Sequence, residues 1–132
     1  MNFILSLSKR VILGISITLL VASSFVFNAA PAAAETYNVT MGTNSFQLAF
    51  EPKTITAKPG DTIKFNNNNL APHNVVFAQE PLKSAGMASG KLLYKPGEAY
   101  EVNIPSDIAA GSYDFYCTPH RGAGMNGQVI IK

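Results

Sequence analysis

From residue 35 onward, apolar and polar positions alternate in short runs. Tyr37, Val39 and Met41 alternate with polar neighbours, and Phe46, Leu48 and Phe50 do so before Pro52. Lys53 to Ala57 leads into Lys58-Pro59-Gly60-Asp61. Ile63 and Phe65 alternate with Thr62 and Lys64, and Val75 and Phe77 continue from His73. Leu92 to Tyr94 leads into Lys95-Pro96-Gly97-Glu98. Tyr100, Val102 and Ile104 alternate, as do Tyr113, Phe115 and Cys117, and Gln128 to Lys132 closes the chain. A period of two marks half-buried strands, and turn residues at this spacing mark a sandwich. The pattern predicts an all-β, Greek-key antiparallel β-sandwich of about eight strands. Each Pro-Gly pair suits a type II turn, where Pro sets φ and Gly accepts a positive φ. Pro81 to Gly90 reads as a loop or one helical turn, and Asn66 to Asn69 as a solvated turn.

Residues 1–34 follow a different pattern. Lys9 and Arg10 precede an apolar run from Val11 to Phe27, and Asn28-Ala29-Ala30-Pro31-Ala32-Ala33-Ala34 follows it. This is the layout of a secretory signal peptide with an Ala-x-Ala cleavage site. It predicts a signal at 1–34, cut after Ala34, and a single domain at 35–132.

Charge and cysteine content narrow the function. The formal charge of the chain is +2, and Lys9 and Arg10 account for it. The segment 35–132 therefore has no net charge, which argues against a nucleic-acid binder. It holds the single cysteine of the chain, so no internal disulfide can form. A free thiol in an exported domain is a liability unless it is buried or bound to a metal.

That cysteine lies in Phe115-Tyr116-Cys117-Thr118-Pro119-His120-Arg121-Gly122-Ala123-Gly124-Met125. The other histidine lies in Pro72-His73-Asn74-Val75-Val76-Phe77. Alternation puts Cys117 on the apolar face with Tyr113 and Phe115, and His73 on a face with Val75 and Phe77. A buried cysteine or histidine alone is usually just core. Here two residues separate Cys117 from His120, and a Gly-Ala-Gly turn returns the chain to Met125, so one loop can present three donors to one point. His73 would supply the fourth. Zinc rarely takes a thioether, whereas two imidazoles, one thiolate and a weak axial Met form the blue-copper set. No carboxylate base lies in the motif, and protein fills all four positions. A metal enzyme needs an open position, so these residues predict one copper ion that moves electrons.

Both motifs closely resemble the plastocyanin family of small blue-copper proteins, and the likeness covers nearly all of 35–132, including Leu48-Ala49-Phe50-Glu51-Pro52. Arg121 directly after the second histidine, and the bacterial-type leader, resemble the cyanobacterial branch. The resemblance implies a cupredoxin-like fold and a monomeric carrier in the thylakoid lumen. Such a carrier passes electrons from cytochrome f of the cytochrome complex to photosystem I through transient contacts at the membrane. It implies the copper ligands His73, Cys117, His120 and Met125, with His120 nearest the surface, and supporting residues Asn74, Tyr116 and Thr118. It also implies an apolar docking face at Leu48, Leu70, Pro72, Gly122 and Ala123, beside Arg121. Two features depart from the plant pattern. Acidic residues are scattered (Glu80, Glu98, Glu101, Asp107) rather than clustered, and Leu70 stands where a glycine is common. A pseudoazurin- or amicyanin-like donor to another redox enzyme, or a copper storage or delivery protein, remain alternatives.

Overall fold

The computed structural model describes residues 32–85 and 90–132. The expected leader lies outside the described residues, apart from Ala32–Ala34, which are exposed. The strands are β1 (Thr36–Met41), β2 (Phe50–Glu51), β3 (Thr54–Ala57), β4 (Thr62–Asn67), β5 (Val76–Phe77), β6 (Ala99–Asn103), β7 (Gly111–Tyr116) and β8 (Asn126–Ile131). One helical turn, α1 (Leu82–Ala85), occupies the small-residue stretch after Pro81. No helix among the described residues is long and apolar enough to cross a membrane.

The strands form two four-stranded sheets, in the orders β2-β1-β4-β6 and β3-β8-β7-β5. The expected sandwich is present, but two of its pairings, β1 with β4 and β3 with β8, run parallel. Alternation fills the space between the sheets. Val39 and Met41, Ile63 and Phe65, and Tyr100 and Val102 face inward from one sheet. Ile55 and Ala57, Tyr113 and Phe115, and Val129 and Ile131 face them from the other. At the centre Phe115 meets Phe50, Phe65 and Phe77 with ring centroids 4.9, 5.4 and 5.5 Å apart, the first two edge to face. Each such buried ring contributes about 1.5–3 kcal/mol by leaving water.

Several segments depart from the expected pattern. Phe46 was expected in a strand but is 69% exposed, in a left-handed turn at φ 57°. Its amide bonds the Thr43 carbonyl, and the Thr43 hydroxyl receives the Gln47 amide. Local bonding has therefore overridden the period of two, and only Phe50–Glu51 pairs with β1. The Leu92–Tyr94 run shrinks to one bridge between Leu93 and His73. Both Pro-Gly turns form, with Gly60 at φ 89° and Gly97 at φ 86°.

Asp61 ties the first turn to the residue that precedes β1. Its buried carboxylate accepts the amides of Glu35 at 2.9 Å and Lys58 at 2.8 Å. Burial by itself would raise the pKa, but these two bonds and the nearby Lys58 charge outweigh it and hold the group below the usual carboxylate range. Because the folded pKa is depressed, the stabilisation is present above the unfolded value and is lost as pH falls through the folded one. Asp61→Asn should cost about 1–3 kcal/mol at neutral pH, since an amide cannot accept both bonds as well. It should also flatten the acid side of the stability curve below pH about 4. Urea unfolding between pH 7 and 3 reads both effects, and an unchanged acid limb would remove Asp61 as their source.

Candidate metal centre

The site is built where β7 runs out. Cys117 is the next residue, and alternation turns it inward beside Phe115, fully buried. The chain then folds back on itself. The His120 amide bonds the Cys117 carbonyl, and residues Arg121–Ala123 make a 3-10 turn. Gly124, at φ 85°, lets the chain leave that turn. The Met125 amide bonds the His120 carbonyl at 3.2 Å, and the Met125 carbonyl receives the Cys117 amide at 3.1 Å. The backbone of Met125 is thus tied to both other donors of the loop, and its side chain is fully buried.

His73 comes from the segment that precedes β5. Its backbone pairs with Leu93 through bonds of 3.1 and 2.8 Å, and its ring is fully buried. His73 Nδ1 lies 3.7 Å from Cys117 Sγ and 3.2 Å from His120 Nδ1, and Sγ lies 3.5 Å from His120 Nδ1. A point equidistant from these three atoms lies roughly 2.0 Å from each, close to the 2.0–2.3 Å that nitrogen and thiolate ligands prefer. The spacing therefore fits one small transition-metal ion. The chemistry of the donor set fits copper.

The surroundings prepare each donor. His73 Nε2 sits 2.7 Å from the Asn69 carbonyl, which can only accept, so Nε2 carries the proton and Nδ1 keeps its lone pair. Burial lowers the His73 pKa, opposed by that bond and assisted by the neighbouring His120. Burial and the neighbouring ring thus favour the neutral imidazole, the form that binds metal. Burial raises the Cys117 thiol pKa, against the pull of the Asn74 and His120 amides. The thiol must therefore lose its proton when metal binds. Asn74 clamps the loop to the histidine segment. Its carbonyl oxygen accepts the Thr118 amide at 2.7 Å, and its amide nitrogen donates to the Thr118 hydroxyl at 3.1 Å.

Of the residues expected from sequence, the structure brings His73, Cys117 and His120 into one cluster and binds Met125's backbone to it. Asn74 and Thr118 bond each other beside the cysteine. Tyr116 points to the opposite face of β7 from Cys117, half-buried, with the Arg121 guanidinium 4.0 Å above its ring. His120 is the one donor of the cluster with partial exposure. Of the residues expected at a docking face, Leu70, Gly122, Ala123 and Arg121 are exposed, and Leu48 and Pro72 are half-buried. Leu70 holds φ 61°, where a side chain is strained by about 1–2 kcal/mol and glycine is not.

The sequence reading missed the asparagine run. Asn66 to Asn69 is not a solvated turn. Asn67 is buried and donates to the Lys95 carbonyl, Asn68 to the Gly42 carbonyl, and Asn69 to the Thr43 carbonyl. These bonds fix the Asn69 carbonyl that orients His73. Gly42 packs against the same place, and an added Cβ would run into that carbonyl and lie 2.9 Å from His73 Nε2. Four consecutive asparagines next to a candidate ligand were the available signal.

A family model described as copper binding proteins, plastocyanin/azurin family, matches residues 37–132. The plastocyanin of Nostoc punctiforme is 46% identical to the chain, over all of this chain and 99% of that protein. The plastocyanin of Prochlorothrix hollandica is 40% identical over the full length of both. A mutant fern plastocyanin, solved in oxidised and reduced forms, superposes with a TM-score of 0.59 at 30% identity, over 72% of this chain and 99% of that one. The chain belongs to the plastocyanin/azurin family of copper-binding proteins. Its cofactor is copper, and it is a blue-copper electron carrier rather than an enzyme.

Proposed function

We propose that residues 1–34 direct export and are removed, and that the domain 35–132 then carries electrons from cytochrome f to photosystem I in the thylakoid lumen. His73, Cys117, His120 and Met125 are the proposed copper ligands. The observation that carries this reading is the convergence of three donor atoms with one partly exposed imidazole among them. The full-length likeness to plastocyanins of Nostoc and Prochlorothrix supports the choice of partners.

Copper held there supplies a one-electron couple between Cu(I) and Cu(II). The protein's own residues do the rest. The fully buried His73, Cys117 and Met125 keep water out, and the Asn69 and Asn74 bonds hold the donors in one arrangement. A fixed, dry shell changes little between charge states, so little reorganisation opposes transfer. The His120 ring is the path to the surface. Exposed Leu70, Gly122 and Ala123 let an apolar partner surface come close to it, and a weak, flat contact allows fast release. An intense blue absorption of the copper-loaded protein, together with its reduction of flash-oxidised photosystem I, tests the reading. A copper protein with the blue band but no photosystem I reduction would sink the partner assignment.

Arg121 is the proposed steering charge. It is exposed, rests on Tyr116 and makes no ion pair among the described residues. In a domain without net charge, one cation beside the exit edge can dominate the local field. Arg121→Glu should slow photosystem I reduction by about tenfold at low salt, an effect that salt screens over roughly 8–10 Å. The blue spectrum should persist. A variant as fast as wild type at low salt would make Arg121 a bystander.

A further inference from the structure

Asp61 is only 3% exposed, yet no lysine or arginine side chain pairs with it among the described residues. One of its two bonds comes from the backbone nitrogen of Glu35, 2.9 Å from Oδ1. Glu35 is also where the fold begins. Its carbonyl receives the Thr62 amide at 2.8 Å, and its carboxylate receives the Tyr37 hydroxyl at 2.7 Å. Ala32–Ala34, just before it, are exposed. The position that the sequence marks as the cleavage point therefore adjoins the first anchored nitrogen of the domain.

We propose that processing after Ala34 turns this neutral hydrogen bond into an ion pair, with the new α-ammonium of Glu35 stapled to the buried Asp61 carboxylate. This rests on the cleavage reading above. Hydrolysis of the Ala34–Glu35 bond places the hydroxyl of water on the Ala34 carbonyl carbon and its hydrogen on the Glu35 nitrogen. That nitrogen, no longer an amide, takes a proton from solvent. A charged donor to a carboxylate makes a stronger bond than a neutral one. The pair joins the start of β1 to the β3–β4 turn, just beyond the point where Thr36 pairs with Thr62 of β4. Cleavage one residue later would remove the Asp61, Thr62 and Tyr37 bonds together. Cleavage earlier would leave the nitrogen an uncharged amide.

The charged groups around the amine set the sign of its pH dependence. Asp61 and the Glu35 carboxylate favour the ammonium, and Lys58 on the turn opposes it. Tyr37 titrates only at about 12, raised first by its bond to Glu35 and so out of range. The adjoining end of β6 offers Asn103, uncharged and bonded to Thr62 at 3.0 Å. The α-amino pKa should rise above its ordinary 7.7–8.0 by about one unit, which is a tenfold change in the folding constant. A raised pKa means the added stability is fully present below the unfolded value and is lost as pH rises through the folded one.

The domain can be tested without residues 1–34, because both sheets and the buried core they enclose lie within residues 36–131. The copper-loaded domain starting at Glu35 is compared with one that keeps Ala34, each with and without Asp61→Asn. Urea unfolding at pH 6.5 should give the Glu35 start a folding constant about tenfold larger. The advantage should vanish by about pH 10 and be absent in the Asp61→Asn pair. Equal stability at pH 6.5, or the same difference in the Asp61→Asn pair, overturns the staple. If Asp61→Asn does not fold, an NMR titration of the α-amine decides: a value raised by about one unit supports the pair, and an ordinary 7.7–8.0 overturns it. The mass of the exported protein tests the cleavage separately. A start other than Glu35 overturns the processing step, while the comparison still reads whether the pair can form.

Discussion

Cys117→Ser should abolish the intense blue absorption of the copper protein and leave a folded sandwich. Cys117 is the only thiolate the chain can offer, and that absorption needs a thiolate on copper. Serine has nearly the same shape. Its hydroxyl would lie near the place of the sulfur, which is 3.7 and 3.5 Å from the two Nδ1 atoms, so it would gain only a weak polar contact there. The metal-free domain should therefore lose only about 1–3 kcal/mol, the usual range for a buried hydroxyl with partial hydrogen bonding. An optical spectrum with Cu(II) and a urea unfolding curve of the metal-free form are the two measurements. A variant that stays intensely blue would remove Cys117 from the copper shell. A variant that does not fold would show that the cysteine holds up the core.

Gly42→Ala should be the most damaging single methyl group near the site. Gly42 holds φ 77°, a conformation strained by about 1–3 kcal/mol in any other residue. The added Cβ would also overlap the Asn69 carbonyl, which is backbone and bonded in place, at a further cost of about 1–3 kcal/mol. The combined loss should reach about 3 kcal/mol or more. The displaced carbonyl is the one that receives His73 Nε2–H, so the imidazole loses its orienting bond. Loss of such an outer partner typically weakens metal binding by about 10–100-fold. Chelator competition and metal-free unfolding should show both losses together. Wild-type copper affinity in a destabilised variant would mean that Asn69 supports the fold without orienting the ligand.

The donor loop was legible because its chemistry is local. Cys117, His120 and Met125 lie within nine positions, and the glycines that close the turn are visible beside them. The Pro-Gly turns were legible for the same reason, since proline and glycine fix their own dihedral angles. The asparagine run was misread because its partners are distant. Asn68 and Asn69 bond Gly42 and Thr43, 26 residues away, and a polar side chain does not reveal whether it faces water or a buried carbonyl. Phe46 misled for a related reason: alternation reports a strand only where a neighbouring strand is there to pair.

Sequence alone determined the all-β class, the absence of net charge over residues 35–132, and a donor set suited to copper. Each follows from residue type and short spacing, which fix local conformation and ligand chemistry. Only the tertiary structure decided that two strand pairs run parallel, that His73 stands on a single bridge to Leu93, and that its ring is aimed by the Asn69 carbonyl. It also decided that Arg121 lies on Tyr116 and that the Glu35 nitrogen meets Asp61. These are contacts between segments far apart in the chain or carried on different turns. They form because the two apolar faces must close on each other, and that closure brings polar groups together whose pairing no local pattern records.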